Sequence, residues 1–485
     1  MSKSNFFDIH KDWEIVIGLE VHAQISTTLK LFSNGSTKFG ANPNESLDLL
    51  DIGLPGTLPT INALAIDKAI KTGLALNAKI NKRSIFDRKN YFYPDLPLGY
   101  QISQFKDPIV GNGFLDLDID GGKSKRIRIE RLHLEQDAGK SLHDQSPTES
   151  FIDYNRAGVA LMEIVSFPDL SNWEEAGSYF SKLRNILRFV NTCDGNMEEG
   201  SLRADANVSV RKKGESLGTR TETKNLNSVK NLMKAIEYEA NRQVNEIKKG
   251  NKISQETRLF DVSTGKTRSM RSKEEAHDYR YFPDPDLLPL EISDQRIESI
   301  RSTLPELPDQ LKKRLIQDYK LSSYDAKVIS ADLETAKYFE DLSEGRDPKQ
   351  AANWIITNLF GILNEKNLNI DDSPISSNQL GKLLDFINDG SISNKIAKEV
   401  FEDMINYNKS PEEIIQDKGL KQISDEKELI IIIEKIISDN LNQKEQFKKG
   451  NTKVVGWFVG QIMKATKGQA NPAVVNKLII DKLKK

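Results

Sequence analysis

Two short stretches carry side chains that could act together in catalysis. Residues 18–22 read Gly-Leu-Glu-Val-His, and residues 132–137 read Leu-His-Leu-Glu-Gln-Asp. Both have the alternation of a β-strand, in which every second side chain lies on the same face. Glu20 and His22 would share one such face, and the side chains at positions 133, 135 and 137 another. If one sheet brings these rows together, their carboxylates and imidazoles would suit a divalent cation and phosphate chemistry.

The composition limits the class of protein to which such a cluster could belong. A length of 485 residues predicts two or three domains, and 69 basic against 71 acidic side chains leave a formal charge of -2. Any nucleic-acid-binding surface must therefore be local. Cys193 is the only cysteine, which excludes an internal disulfide and a cysteine-based zinc site. Since we see neither a signal segment nor a run long enough to span a bilayer, we expect a soluble cytoplasmic protein without membrane contact.

Two sequence textures divide the chain. Up to about residue 290, alternating and β-branched residues with frequent glycine and proline are typical of strands. Beyond it, leucine and isoleucine recur at helical spacing among lysine, aspartate and asparagine. We predict an α+β protein with a first domain over 1–293, built on an antiparallel sheet, then an all-helical domain over 294–405 and a small helical tail domain over 406–485.

One predicted strand, residues 201–211, has an unbroken polar face. That face consists of Ser201, Arg203, Asp205, Asn207, Ser209 and Arg211. Such a strand indicates an open antiparallel sheet with one side packed and one side presented to solvent or a ligand. The mixture of hydroxyl, amide, carboxylate and guanidinium groups favours a ligand, although many polar strand faces are only solvated. A helix follows, with Asn227 or Ser228 as its cap and Gly250 at its end.

Glu163 is unusual because it lies in the otherwise apolar run 158–165. A buried carboxylate that has lost its partner costs roughly 3–5 kcal/mol, so Glu163 needs a cation. On the residues alone, an ion pair with Arg156 or Arg203 is favoured over a metal. In the strand before it, the apolar positions change phase, which predicts a bulge near Glu130 and Arg131.

Two aromatic, proline-rich stretches, residues 87–97 and 278–286, resemble one another in composition. We interpret both as loops that could flank one cleft and hold a planar or phosphorylated ligand. The alternative is that Tyr91 and Tyr93 only pack a loop against the sheet.

Near the end of the chain, residues 453–472 combine lysines with small residues and glutamine. Lys453, Lys464 and Lys467 could contact RNA phosphates, although lysines on a helix surface are common. Trp457 and Phe458 are predicted to lie in the core.

Taken together, these segments resemble one enzyme family, the B subunits of the aspartyl/glutamyl-tRNA(Asn/Gln) amidotransferase. The resemblance rests on long motifs in the family's order: GLEVHAQ, FDRKNYFYPDLPLGYQISQF, LHLEQDAGKS, DYNRAGVALMEIVSFPD, MEEGSLRADANVSVR, TKNLNS, DYRYFPDPDLLPL and GQIMKATKGQANP. It implies a cradle-like catalytic domain, a helical domain and a YqeY-like tail that binds tRNA. It also implies ATP-dependent amidation of misacylated Glu-tRNA(Gln), Asp-tRNA(Asn) or both, through a phosphorylated side-chain carboxylate.

The resemblance further implies cofactors, partners and site residues. The cofactors are ATP and Mg²⁺, and the partners are an amidase (A) subunit that supplies ammonia from glutamine, a small C subunit completing a heterotrimer, and the misacylated tRNA. The residues that match the family's metal and phosphoryl-transfer site are Glu20, His22, Glu135 and Glu163. For Glu163, the resemblance favours a role as a metal ligand over an ion pair with an arginine. The residues assigned to ATP or substrate are Arg203, Asp205 and Lys224. The alternative function is a non-catalytic tRNA-binding scaffold subunit whose carboxylates are structural.

Overall fold

The computed structural model describes residues 6–119, 123–142, 146, 148–272, 278–366, 368–420, 426–448, 454–466, 470 and 472–484. The chain divides into two compact units, Met1–Pro308 and Asp309–Lys485. The strands are β1 (Trp13–Gln24), β2 (Arg83–Ser84), β3 (Asp87–Asn90), β4 (Tyr100–Ser103), β5 (Gly113–Ile119), β6 (Lys123–Gln136), β7 (Lys140–Leu142), β8 (Phe151–Asp153), β9 (Ala160–Ser166), β10 (Leu202–Lys212), β11 (Thr221–Leu226), β12 (Glu256–Asp261), β13 (Lys266–Ser272), β14 (Phe282–Pro283) and β15 (Leu290–Glu291). The helices are α1 (Phe6–Ile9), α2 (Ala63–Ala75), α3 (Trp173–Phe189), α4 (Val229–Lys248), α5 (Asp294–Arg301), α6 (Pro308–Gln317), α7 (Ser323–Ile329), α8 (Leu333–Ser343), α9 (Pro348–Trp354), α10 (Phe360–Lys366), α11 (Ser377–Asn388), α12 (Asn394–Tyr407), α13 (Pro411–Asp417), α14 (Glu426–Ser438), α15 (Leu441–Lys448), α16 (Val454–Ala465) and α17 (Pro472–Lys484).

A large sheet organises the first unit. Over the described residues it has eight strands in the order β13-β12-β11-β10-β1-β9-β6-β5. Neighbouring strands run antiparallel, except for the parallel pair β11 and β12. The predicted α+β class with a largely antiparallel sheet is confirmed.

Strand β1 shows why the two faces of this sheet differ. Its alternation places Ile15, Ile17, Leu19 and Val21 on one face, all at most 2% exposed. Helices α3 and α4 pack on that apolar side. Ser228 caps α4, and its side chain accepts a hydrogen bond from the backbone N–H of Asn231, which confirms one of the two predicted caps. The opposite face is left for polar side chains.

A bulge in β6 keeps the apolar side chains on one face. The register against β9 shifts between Ile129 and Arg131, as the sequence predicted. Ile129 before the shift and Leu132 after it are both fully buried. Without the extra residue, the strand's second half would turn its apolar side chains to the polar face.

The predicted loop over 87–97 is wrong at its start. Residues Asp87–Asn90 form β3, which pairs with β4 on one side and with β14 on the other. The four residues are all polar, so their pattern does not distinguish a strand from a loop, and pairing with distant segments decides the structure. The loop proper begins at Tyr91.

The second unit is helical in the residues that the structure describes. A separate apolar cluster joins α14, α16 and α17, with Phe458 fully buried. Trp457 is 38% exposed, so its predicted core position is wrong. Within the described ranges, no helix is both long and apolar enough to cross a membrane. The predicted boundaries at 293 and 405 stay a prediction.

Candidate active site

The polar face of β1 meets charged side chains of three neighbouring strands. His22 lies opposite Arg203 on β10 and opposite Glu163 on β9. Glu163 in turn lies opposite His133 on β6. These pairings make a continuous row across the sheet, and Glu20 lies opposite Asp205 in the next row. The two stretches predicted to converge therefore do so, with β9 between them.

Glu163 lies between two imidazoles. Its Oε2 is 3.6 Å from Nε2 of His22 and 3.3 Å from Nε2 of His133. Glu135 is the next acidic group, with its Oε2 3.8 Å from the same His133 nitrogen, and it accepts a hydrogen bond of 3.3 Å from Oγ of Ser103. All four cluster residues are largely buried, so their charges act on one another at low dielectric.

The charges in this cluster compensate one another. Burial lowers the pKa of His133, but the carboxylates of Glu163 and Glu135 outweigh it and raise that pKa to about 9. Burial likewise opposes the ionised form of Glu163, yet the two histidines hold the pKa of Glu163 well below its usual range. Glu20 behaves differently, because burial and the nearby charge of Glu163 raise its pKa. The cluster thus holds charges of both signs.

The donor set suits a divalent cation. Ligand atoms of His22, Glu135 and Glu163 all lie within 4.8 Å of one another. The buried Nδ1 atoms of His22 and His133 lack a hydrogen-bond partner among the residues that the structure describes. Divalent cations in proteins are commonly bound by carboxylate oxygens and by an imidazole nitrogen that makes no other hydrogen bond. Glu20, predicted as a fourth ligand, lies outside this close set and accepts a hydrogen bond of 2.8 Å from Nδ2 of Asn207.

A cleft of about 590 Å³ opens over the cluster. His133 and Glu163 line it together with Lys89 of β3 and two tyrosines of the 278–286 segment, Tyr279 and Tyr281. Burial lowers the pKa of Lys89, but Glu135 and the neighbouring phenol groups outweigh this effect and raise the pKa above its usual value. The 278–286 segment and β3 thus contribute to one cleft, in line with the compositional prediction. Neither is wholly a loop, because β3 pairs with β14 (Phe282–Pro283) inside the second segment.

Arg203 contributes to the site through Asp137. Its NH2 donates to Oδ1 of Asp137 at 2.9 Å, and its NH1 donates to Oδ2 at 3.3 Å. Nε of Arg156 lies 3.7 Å from the same carboxylate. The predicted pairing of Glu163 with Arg156 or Arg203 is therefore wrong. Both guanidinium groups pair with Asp137, whereas Glu163 pairs with the two histidines.

Asp205 and Lys224 form an ion pair beside the cluster. Nζ of Lys224 lies 2.6 Å from Oδ2 of Asp205 and 2.9 Å from Oε1 of Glu222. Burial lowers the pKa of Lys224, but these two carboxylates outweigh it and raise the pKa. Together with Arg203, the pair extends the polar face of the sheet from β1 to β11. Its assignment to ATP or substrate stays a prediction.

Three residues of the site were missing from the predicted set. Alternation placed His133 in the predicted polar row with Glu135, although it was not among the residues matched to the metal site. Lys89 lies in the stretch predicted to hold a planar or phosphorylated ligand, but no local pattern singled it out, because that stretch was interpreted as a loop. Asp137 belonged to the predicted polar row, but the chain gives no local sign that it would orient Arg203.

The predicted RNA-binding lysines are only partly covered by the structure. Lys464 is exposed on α16. Lys453 and Lys467 lie outside the described residues. Contact of these lysines with tRNA stays a prediction.

Comparison with known proteins places these features in a family. Residues 15–298 match the family described as the GatB/GatE catalytic domain, and residues 337–483 match the GatB domain. A relative from Methylorubrum extorquens (strain PA1) is 57% identical over 97% of this chain and 96% of its own length. Relatives from Rhodospirillum rubrum and Pelagibacter ubique (strain HTCC1062) are 57% and 56% identical over 97% of this chain and at least 96% of theirs. All three carry the name of the B subunit of an aspartyl/glutamyl-tRNA(Asn/Gln) amidotransferase.

Proposed function

This chain belongs to the family of amidotransferase B subunits, and from that premise we propose that it catalyses the ATP-dependent amidation of misacylated tRNA. The substrates are Glu-tRNA(Gln), Asp-tRNA(Asn) or both, in keeping with the names of its relatives. The observation that carries the proposal is the cluster of His22, Glu135 and Glu163, of which Glu163 lines a cleft that also holds Lys89.

The reaction has two steps, each of which makes one bond and breaks another. A side-chain carboxylate oxygen of the esterified amino acid attacks the γ-phosphorus of ATP, and the bond from that phosphorus to the bridging oxygen breaks, which releases ADP. Ammonia then attacks the carbonyl carbon of the acyl phosphate, the bond from that carbon to the phosphate oxygen breaks, and the nitrogen loses a proton. Phosphorylation is needed because a carboxylate is a poor electrophile with no good leaving group.

The residues of the cleft can supply what phosphoryl transfer requires. Such transfer depends on positioning and on charge stabilisation more than on covalent help from the protein. His22, Glu135 and Glu163 would hold Mg²⁺, which when bound supplies positive charge to the phosphate oxygens. The ammonium group of Lys89 supplies a further positive charge on the same cleft. Asp137 orients Arg203 toward the same polar face by a bidentate ion pair.

Ammonia must come from another protein in this proposal. Burial raises the pKa of the Cys193 thiol to about 12, and that side chain is 1% exposed. A thiol of this kind is inert as a nucleophile near neutral pH. We therefore assign glutamine hydrolysis to a partner amidase (A) subunit and expect a small C subunit to complete a heterotrimer.

The test is to follow Glu-tRNA(Gln) and Asp-tRNA(Asn) in the complete complex with glutamine as the nitrogen donor. The proposal predicts formation of Gln-tRNA or Asn-tRNA only when ATP and Mg²⁺ are present, with one ADP released per amide formed. Amidation that proceeds without ATP, or ADP release that does not depend on aminoacyl-tRNA, would contradict it.

A further inference from the structure

A stacked pair of aromatic rings lines the cleft. The rings of Phe105 and Tyr281 are nearly parallel, at an interplanar angle of 6° with 4.3 Å between centroids. Phe105 is nevertheless 49% exposed. Its backbone N–H donates to the buried carboxylate of Asp87 at 3.2 Å, so the ring is carried by a fixed segment rather than a free loop. The pair offers a flat apolar surface to a ligand.

Aromatic contacts connect this pair to the candidate active site. Tyr281 makes an edge contact with Tyr279, with 5.9 Å between centroids. Nζ of Lys89 lies 5.1 Å from the centroid of Tyr279. Lys89 in turn lines the same cleft as His133 and Glu163. A ligand stacked on Phe105 would therefore lie at the outer end of a continuous wall that leads to the carboxylates.

Basic residues continue from the aromatic pair into a second cavity. Lys106, next in sequence to Phe105, lines both the cleft and this adjoining cavity of about 600 Å³. The cations of the second cavity are Lys79, Lys82, Arg83 and Lys106, and its carboxylate is Asp107. Two of these cations form ion pairs that are largely exposed, Lys82 with Asp294 and Arg83 with Glu291. Exposed ion pairs contribute about 0–1 kcal/mol to stability, so phosphate groups can replace the carboxylates as partners of the two cations.

We propose that the Phe105–Tyr281 pair stacks the 3′-terminal nucleobase of the tRNA substrate, while Lys106 and the second cavity receive the phosphates that precede it. Aromatic platforms beside a basic groove are how proteins bind single-stranded nucleic acid without reading its sequence. This inference rests on the proposed function, because it takes the substrate to be an RNA that carries its amino acid on the 3′-terminal ribose.

The arrangement favours the RNA end over the adenine of ATP. The phosphates of ATP must reach the carboxylate cluster, on the inner side of the platform. In an acylated RNA the amino acid extends inward and the phosphates run outward, away from the reacting group. The second cavity, which shares Lys106 and Asn81 with the cleft but not the cluster residues, provides cations on that outer side.

The experiment compares the binding of intact tRNA with that of the same tRNA lacking its 3′-terminal nucleotide. Binding of fluorescently labelled, uncharged tRNA is measured by anisotropy for the complete complex, with wild-type chain and with Phe105→Leu. If the terminal base stacks on one aromatic ring, the wild type should bind trimmed tRNA with an affinity about tenfold lower than intact tRNA. Phe105→Leu should bind both RNAs equally, at the affinity of wild type for trimmed tRNA.

Controls separate the platform from general effects. Phe151 on β8 is similarly exposed, at 44%, and lines neither cavity, so Phe151→Leu should keep the wild-type preference for intact tRNA. Lys106→Ala should weaken the binding of both RNAs and flatten the dependence of affinity on salt. Lys213→Ala should do neither, because Lys213 is exposed in the turn after β10 and lines neither cavity.

Two results would overturn the inference. One is an equal loss of affinity for wild type and Phe105→Leu when the 3′-terminal nucleotide is removed from the tRNA. The other is a rise in the KM for ATP in Phe105→Leu with no change in tRNA binding, which would assign the platform to the adenine of ATP. Because binding of uncharged tRNA needs no chemistry, either result can be told apart from failure of the proposed amidation.

Discussion

His133 and Glu163 face one another across strands β6 and β9, with 3.3 Å between Nε2 and Oε2. This pair, with His22 on the other side of Glu163, explains how a carboxylate can be held in an otherwise apolar strand. Glu163 favours the protonated form of both histidines, so a divalent cation bound here would have to displace those protons. A fixed arginine in their place would keep its charge and would oppose a metal ion.

Replacing Glu163 tests the cluster's role in chemistry. Glu163→Gln should lower kcat for amidation by about 100-fold, because it removes one of the three proposed Mg²⁺ ligands and the charge that lies between both histidines. The loss of stability should be small, since the histidines can become neutral. The measurement is steady-state amidation together with urea unfolding. Glu14→Gln on the same sheet face of β1, where Glu14 binds Arg211, should keep wild-type kcat. Equal activity of both variants would assign Glu163 a structural role.

Replacing a second buried glutamate, Glu239, should have the opposite effect and lower stability without lowering kcat. Its carboxylate accepts hydrogen bonds from Arg242 and Gln243 of α4 itself and from Thr221 of β11, and the last of these joins the helix to the sheet. Breaking a buried ion pair costs about 3 kcal/mol, so Glu239→Gln should lower the free energy of unfolding near neutral pH by about that amount. It should leave kcat unchanged in the fraction that stays folded.

The effect of Glu239 should depend on pH. Burial raises the pKa of Glu239, but Arg242 and the hydrogen bonds from Gln243 and Thr221 outweigh it and lower the pKa below the usual 4.5. A lowered pKa stabilises the folded state above the unfolded-state pKa, and this contribution is lost as pH falls through the folded-state value. Urea unfolding from neutral pH downward should therefore show wild type and Glu239→Gln converging below about pH 4. A gap that stays constant would contradict this account.

Asp137 allows a test of how Arg203 is positioned. Asp137→Asn should raise the KM for ATP or aminoacyl-tRNA about tenfold, because an amide cannot hold the guanidinium in a charged bidentate pair. Asp169→Asn is the matched control, since Asp169 makes a similar bidentate pair with Arg128 on the same sheet. Kinetic effects of equal size in the two variants would show that Asp137 acts on stability alone.

Replacing Lys464 tests whether this lysine of α16 contacts tRNA. Lys464→Glu should weaken tRNA binding and reduce the slope of log affinity against log salt by about 1, while glutamine hydrolysis by the partner stays unchanged. Lys435→Glu on α14 changes an exposed lysine of the same helical cluster and serves as the comparison. The measurement is a salt titration of tRNA binding. An unchanged slope in Lys464→Glu would remove this residue from the RNA surface.

The parts of the site that the sequence predicts are those encoded within one strand. Alternation places Glu20 and His22 on one face of β1, and the phase change in β6 predicts its bulge. What alternation cannot supply is the register between strands, which brings His133 opposite Glu163 and so decides the partner of that carboxylate. The same limit applies to β3, because Asp87–Asn90 becomes a strand only through pairing with β4 and β14.

We propose that the carboxylate cluster performs phosphoryl transfer. The most direct measurement follows labelled γ-phosphate from ATP to Glu-tRNA(Gln) or Asp-tRNA(Asn), with the complete complex and no glutamine, so that the acyl phosphate persists. Wild type and Glu175→Gln, in which a glutamate that binds Lys125 is replaced, should label the tRNA equally. Glu135→Gln should bind tRNA normally yet transfer no label. Equal labelling by Glu135→Gln would contradict the claim and leave the chain as a tRNA-binding scaffold with structural carboxylates.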